Sequence, residues 1–271
     1  MALFYIFILF LGLIAGSFLN CVIYRLEQKK SFLKGRSFCP CCGHVLRWQD
    51  LFPVFSFVFL RGRCCYCKEK ISVQYPLVEL FAGVVFVLIF HLEFFSLAQQ
   101  GLVFSPESLV SFLFLSFIFS SLIVILVYDL KHFIIPDKVL FPAVLITLFY
   151  NSYLFLINNN LFHLFLNNIY SAFGASGFFL LIILASRGKW MGLGDAKLGF
   201  LMGLLLGPLN VVVALFSSFI LGAIIGIGLI ALKKKGMRSE VPFGPFLVAG
   251  TIIAMFWGQE LVTWYSNLFI K

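Results

Sequence analysis

The chain has 271 residues, of which 62% are hydrophobic and only 11% charged, against roughly 25% charged in an ordinary soluble domain. That composition excludes a soluble globular protein and predicts an all-α polytopic membrane protein, because runs of roughly 20 apolar residues can each cross a ~30 Å hydrocarbon core as helices. The net charge of +9 reads as a topology signal, and binding of nucleic acid is not expected.

Eight spans are predicted, at about 3 to 24, 76 to 95, 108 to 128, 139 to 157, 168 to 186, 196 to 209, 210 to 232 and 244 to 264. The first has no basic residue ahead of it and is too long for a signal peptide, so it is expected to stay as an anchor. The sixth is short and ends at Gly207-Pro208. Gly199, Gly203 and Gly207 recur every four residues, as do Gly222 and Gly226, which is the small-xxx-small spacing of close helix packing.

Between the first two spans lies the largest polar insertion, residues 25 to 75. It carries Cys39-Pro40-Cys41-Cys42-Gly43 and Cys64-Cys65-Tyr66-Cys67, two C-x-x-C pairs at zinc-knuckle spacing. Cys39, Cys42, Cys64 and Cys67 fit a structural Zn²⁺ site best, with Cys41 and Cys65 inside the turns and His44 near enough to compete. Disulfides or free thiols are the alternative, and a reducing cytoplasmic location weighs against disulfides. Four thiolates leave no open position for water, so the metal is expected to be structural. Cys21, inside the first span, reads as a packing residue.

Charge orients the spans. Ten of the 20 Lys and Arg lie between Arg25 and Lys70, and all but Lys271 of the rest fall in the loops near Lys131, near Arg187 and near Lys233-Lys234-Lys235. The connections at 96 to 107 and 158 to 167 contain none. The positive-inside rule therefore puts every basic loop in the cytoplasm and both termini outside, with the basic face attractive to anionic lipid.

This topology brings two acids to one depth. Asp129 follows the third span in Tyr128-Asp129, and Asp195 precedes the sixth in Gly192-Leu193-Gly194-Asp195. Acids kept at such positions are expected to work, and a pair sharing a proton is the chemistry of an aspartic protease. Helix capping is the other reading, with Asp195 as an N-cap, whereas an acid at a helix C-terminus such as Asp129 opposes the macrodipole. Gly192 and Gly194 allow a helix or an extended peptide to approach closely. In Ile134-Ile135-Pro136-Asp137 the proline restarts the next helix, with Asp137 at its start or supporting the pair. Lys197 either holds the charge state of Asp195 or snorkels to the interface. Glu79, at the start of the second span, either touches substrate or methyl donor or is simply solvated.

Taken together the chain resembles the type IV prepilin peptidases, the prepilin leader peptidase/N-methyltransferases of the GxGD class of membrane aspartic proteases. The resemblance rests on Gly16-Ser17-Phe18-Leu19-Asn20 with Tyr24-Arg25-Leu26, the two C-x-x-C pairs, Tyr75-Pro76-Leu77-Val78-Glu79-Leu80, Tyr128-Asp129 with Ile135-Pro136-Asp137, Gly192-Leu193-Gly194-Asp195-Ala196-Lys197, and Pro242-Phe243-Gly244-Pro245. It implies that Asp129 and Asp195 are the catalytic pair, cutting a pilin or pseudopilin precursor after a short basic leader at the cytoplasmic edge of a bacterial inner membrane. It further implies methylation of the new N-terminus with S-adenosylmethionine, associated with residues 25 to 75, while residues 76 to 271 form the peptidase core after a first helix at 1 to 24. A peptidase without methyl transfer, a transporter and a zinc-sensing membrane protein are the alternatives.

Overall fold

A computed structural model describes residues 2–31, 35–99, 105–157, 161–232 and 241–269. Its elements are α1 (Ala2–Glu27), a 3-10 turn (Trp48–Leu51), α2 (Phe55–Phe59), α3 (Gln74–Gln99), α4 (Pro106–His132), α5 (Asp137–Ile157), α6 (Phe162–Ser186), α7 (Leu193–Ala231) and α8 (Gly244–Phe269). Seven of these helices are long and apolar enough to cross a membrane. The expected anchor at Lys233-Lys234-Lys235 lies outside the described residues.

The count of seven against eight predicted spans turns on α7. As one rod its 39 residues would be about 58 Å long, roughly twice the hydrocarbon thickness. It is broken at Gly207, whose φ of 73° and ψ of −175° are not helical, and Pro208 follows with no N–H to donate. The sixth and seventh predicted spans are therefore the two halves of α7, on either side of the predicted break. Several helices overrun their predicted edges, α6 by starting at Phe162. Asn167 and Asn168 interrupt the apolar run there, but the helix continues through them.

The chain divides into two compact units, Met1–Val124 and Ile125–Lys271. In the first, α1 packs along α3 because both lack bulk where they touch. A Cβ at Gly16 would lie 2.6 Å from Cα of Glu79, and one at Gly12 would lie 2.8 Å from Cα of Gly83. Asn20 Nδ2 donates to the Tyr75 carbonyl at 3.0 Å, setting the register. The buried Arg25 donates to the Gly35 carbonyl at 2.7 Å and ties the insertion to the end of α1.

In the second unit α7 packs against α5, α6 and α8. The glycine stripe is the contact surface: Gly203 faces the backbone of Ser171 and Ala172 so closely that any side chain would overlap it, and a Cβ at Gly199 would sit 2.7 Å from the Phe179 ring. Phe179, Leu198, Leu201, Met202 and Leu204 form the fully buried centre. Phe173, Leu181 and Phe216, by contrast, are exposed, as lipid-facing side chains are.

Candidate functional site

The last turn of α4 carries Asp129. Its carbonyl accepts the Phe133 N–H at 2.9 Å, and Phe133, at φ 58°, turns the chain out of the helix. Ile134 and Ile135 lie outside either helix and lead to Pro136, whose carbonyl takes the N–H groups of Val139 and Leu140 at 3.0 and 3.1 Å as α5 starts at Asp137. Asp195 lies in the first turn of α7. The N-cap is Gly192, in extended conformation, and the Asp195 carboxylate reaches back to accept the Gly192 N–H at 3.2 Å. Asp195 is thus the third helical residue and not the N-cap, because two residues of α7 precede it. Likewise Asp129 sits inside α4 and not beyond it.

Both acids are buried, Asp129 at 5% and Asp195 at 8% exposure, and they lie close enough to feel each other's charge. Each is held by one backbone donor from the N-terminus of a helix: Gly192 for Asp195, and Gly244, the first residue of α8, for Asp129. The positive end of the α8 dipole therefore faces Asp129 and offsets its position at the end of α4. Gly244 also has no room to be anything else, since a Cβ there would stand 2.5 Å from Asp129 Oδ2 and 3.0 Å from its Cγ. Sequence reasoning missed Gly244 as a site residue, and its only signal was its place in Pro242-Phe243-Gly244-Pro245. Two neighbouring carboxyl groups of this kind can share a proton, one acting on a water and the other on a carbonyl.

The neighbouring residues divide. A Cβ on Gly194 would press Ile135 at 3.2 Å from its Cβ, so this glycine lets the start of α7 approach the chain ahead of α5, while a Cβ on Gly192 would meet the Gly194 backbone nitrogen at an ordinary 3.9 Å. Lys197 Nζ grips both oxygens of Asp137, at 2.8 and 2.9 Å, and lies 5.5 Å over the Phe141 ring. It thus links the first turns of α5 and α7, and its ion-pair partner is Asp137.

In the insertion, the sulfurs of Cys39, Cys42, Cys64 and Cys67 all lie within 4.8 Å of one another. Tetrahedral zinc with Zn–S bonds of ~2.3 Å requires sulfurs about 3.8 Å apart, and Cys39 Sγ and Cys67 Sγ are 3.8 Å apart. Each pair forms the same turn: Gly43 N–H donates to the Cys39 carbonyl and Lys68 N–H to the Cys64 carbonyl, with antiparallel bridges at Phe38 and Val45 and at Arg63 and Lys70. Gly43 and Lys68 occupy the left-handed position of the turn, at φ 69° and 60°. Burial works against ionisation of Cys39, but the backbone N–H groups of Cys42 and Cys41 and the thiols of Cys42 and Cys64 outweigh it and bring its pKa down to about 7. Cys41 and Cys65 are exposed in the turns, and His44 stacks on Tyr66 at 3.6 Å between ring centroids.

Glu79 is 7% exposed, which sets simple solvation aside. Its Oε2 accepts the Val54 N–H at 2.7 Å, a bond from the insertion to α3 that nothing in either segment announces.

The family model described as the bacterial peptidase A24 N-terminal domain matches residues 10–92, and that of the type IV leader peptidase family matches residues 116–227. The chain is 32% identical to the prepilin leader peptidase/N-methyltransferase of Legionella pneumophila over 94% of this chain and 91% of that protein. It is 32% identical to the Bacillus subtilis protein of the same name over 95% of this chain and 96% of that one. With the Aeromonas hydrophila protein of that name it shares 29% identity over 99% and 96%. No solved structure matches the chain.

Proposed function

This chain belongs to the type IV leader peptidase family, and on that premise we propose that it cleaves the basic leader from a prepilin or pseudopilin and methylates the new N-terminus. The observation that carries the peptidase reading is the pair of buried acids, Asp129 and Asp195, each gripped by a helix N-terminus. One carboxylate takes a proton from the attacking water while the other gives its proton to the scissile carbonyl, and the proton taken from the water then passes to the leaving amine as the C–N bond breaks. The pair titrates as a unit, so the roles belong to the dyad. Gly244 and Gly192 hold the carboxylates by N–H groups that cost no side-chain entropy, while the exposed Lys197–Asp137 pair lies beside them across the first turns of α5 and α7.

The protein is a multi-pass protein of the inner membrane, with both termini outward and the dyad at the cytoplasmic boundary, where the basic loops gather. A leader that stays in the cytoplasm and a helix that lies in the bilayer meet at that level. Cys39, Cys42, Cys64 and Cys67 hold a structural Zn²⁺; the 3.8 Å sulfur separation supports this. S-adenosylmethionine, when bound, supplies the methyl group, and residues 25 to 75 with Glu79 are its assigned surroundings. The N-methyltransferase names of full-length relatives support that half of the reading. A transporter or a zinc sensor is not favoured by these matches.

The test uses purified protein and a synthetic prepilin. Asp129→Asn and Asp195→Asn each lower the cleavage rate by about 10²–10⁴-fold, the worth of a positioned acid or base. Both variants still add one methylene to a peptide supplied already mature. Full cleavage by both would reject the dyad, and cleavage by the parent without a methylene gain in the presence of S-adenosylmethionine would reject the transferase.

A further inference from the structure

The stretch between the two C-x-x-C pairs is unlike the rest of the insertion. Residues 51 to 60, Leu-Phe-Pro-Val-Phe-Ser-Phe-Val-Phe-Leu, form an apolar run with one hydroxyl, bounded by Arg47 on one side and Arg61 and Arg63 on the other. A run of this length is too short to span a bilayer and is typical of a re-entrant or interfacial segment. It folds as a hairpin: the 3-10 turn at Trp48–Leu51, a tight turn at Pro53, then α2.

Its position along α1 can be read from two contacts. Asn20 pairs with Tyr75 in the first turn of α3, and Phe10 lies ten residues, or about 15 Å, further along α1 toward the far side. The Phe55 ring stacks on that of Phe10, with centroids 6.4 Å apart and planes 14° from parallel. About 15 Å is half of a ~30 Å hydrocarbon core. Phe7 and Ile14, on the neighbouring turns of α1, are exposed at 62% and 61%, as lipid-facing residues are.

The hairpin is also built for a dry surrounding. Val54 N–H goes to Glu79, Phe55 N–H to the Pro53 carbonyl at 2.6 Å, Ser56 to Phe52, Val58 to Val54, Leu60 to Ser56, Arg61 to Val58 and Gly62 to Phe57. Val54, at φ 61° and ψ −48°, is the centre of a γ-turn of the rare strained form, unusual for a β-branched residue. The turn aims its N–H at the Glu79 carboxylate. What the hairpin leaves outside is apolar: Phe59 is 81% exposed, Val58 64%, Phe52 46% and Phe55 44%. Trp48, 73% exposed, stands at the basic end, where an amphipathic ring meets headgroups. Asp50 stays at that end too, accepting from Tyr66 of the second cysteine turn at 3.1 Å. The four-thiol cluster joins the residues entering the hairpin to those leaving it.

We propose that residues 51 to 60 are a re-entrant hairpin inserted beside α1 into the leaflet that borders the insertion, with Phe59 and Val58 in the acyl chains and Arg47, Arg61 and Arg63 on anionic headgroups. The occupant of this surface is lipid, by continuity with the lipid-facing side of α1 and by the sign of the flanking charge. The insertion is then held on the membrane by its own apolar loop, and Glu79 is where the loop is fastened.

The test uses the full chain in vesicles of phosphatidylglycerol and phosphatidylcholine. In Phe59→Cys, the new thiol reacts with a charged, membrane-impermeant maleimide at least about tenfold more slowly than that of Glu69→Cys, at an exposed position of the second cysteine turn, because the reagent must leave water. A photoreactive benzophenone amino acid at position 59 captures a phospholipid, and one at Glu69 captures none. Equal reaction of the thiols at positions 59 and 69 would overturn the proposal, and so would capture of a second copy of the chain or of a precursor peptide in place of lipid. Zinc content matching the parent shows that the insertion is folded; if Phe59→Cys loses its zinc, Val58→Cys is read in the same way. Each of these readouts is independent of cleavage.

Discussion

Replacing Gly244 by Ala sets two physical effects against each other. At the first residue of α8, alanine is the better helix former by about 1 kcal/mol, so backbone considerations alone predict a slightly more stable protein. The site predicts damage. The new Cβ would stand 2.5 Å from Asp129 Oδ2, and reaching an ordinary contact of 3.4 Å moves the oxygen by about 0.9 Å. A displacement near 1 Å in a catalytic group can cost about 10²-fold in rate, or about 2.7 kcal/mol of transition-state stabilisation. The Gly244 N–H bond to the carboxylate is strained or lost by the same movement. The assay is steady-state cleavage of a prepilin peptide in detergent, with thermal unfolding of the same sample. A fall in kcat of about 10–100-fold with an unchanged or slightly raised Tm is expected. Gly226→Ala, where a Cβ meets nothing within 4 Å, serves as the neutral control. Parental kcat in Gly244→Ala would refute the claim that this glycine positions Asp129.

Three further outcomes follow from packing and charge. Gly203→Leu drives a side chain into the backbone of Ala172 and should prevent α6 and α7 from packing, seen as loss of folded protein after extraction, whereas Gly228→Ala, in open space, should be tolerated. Lys197 and Asp137 are 41% and 51% exposed, so a double-mutant cycle on thermal stability should give a coupling below about 1 kcal/mol, and Lys197→Ala should keep most of its cleavage activity. A strong chelator, or Cys39→Ser, should remove one equivalent of zinc and lower the Tm, while Cys41→Ser should leave the zinc in place; zinc loss in Cys41→Ser would mean that the ligand set is wrong.

The parts of the site that were legible beforehand are those that speak through side-chain chemistry at short range. The cysteine quartet is a matter of spacing within two turns, and the structure gathers the same four sulfurs. Asp129 and Asp195 stand out because charge is rare in such a chain. Gly244 did not stand out, since it acts through a backbone N–H that every residue but proline carries. Val54 was invisible for the same reason, and its partner Glu79 lies 25 residues away. Lys197 was legible as a basic neighbour of Asp195, but its choice of Asp137 depends on how α5 and α7 lie side by side.

Local and cumulative properties thus reach far in this protein: the apolar solvent, the helical spans, the break of α7 at Gly207-Pro208 and the metal-type turns all depend on runs and spacings within a few turns of chain. Tertiary structure alone decided how Asp129 can sit, buried and charged or sharing a proton, at the wrong end of its own helix. The field of a helix terminus fades within about one turn, so what offsets it has to be brought there by packing. That is the N-terminus of α8, more than a hundred residues along the chain, carried to Asp129 by the fold of the second unit.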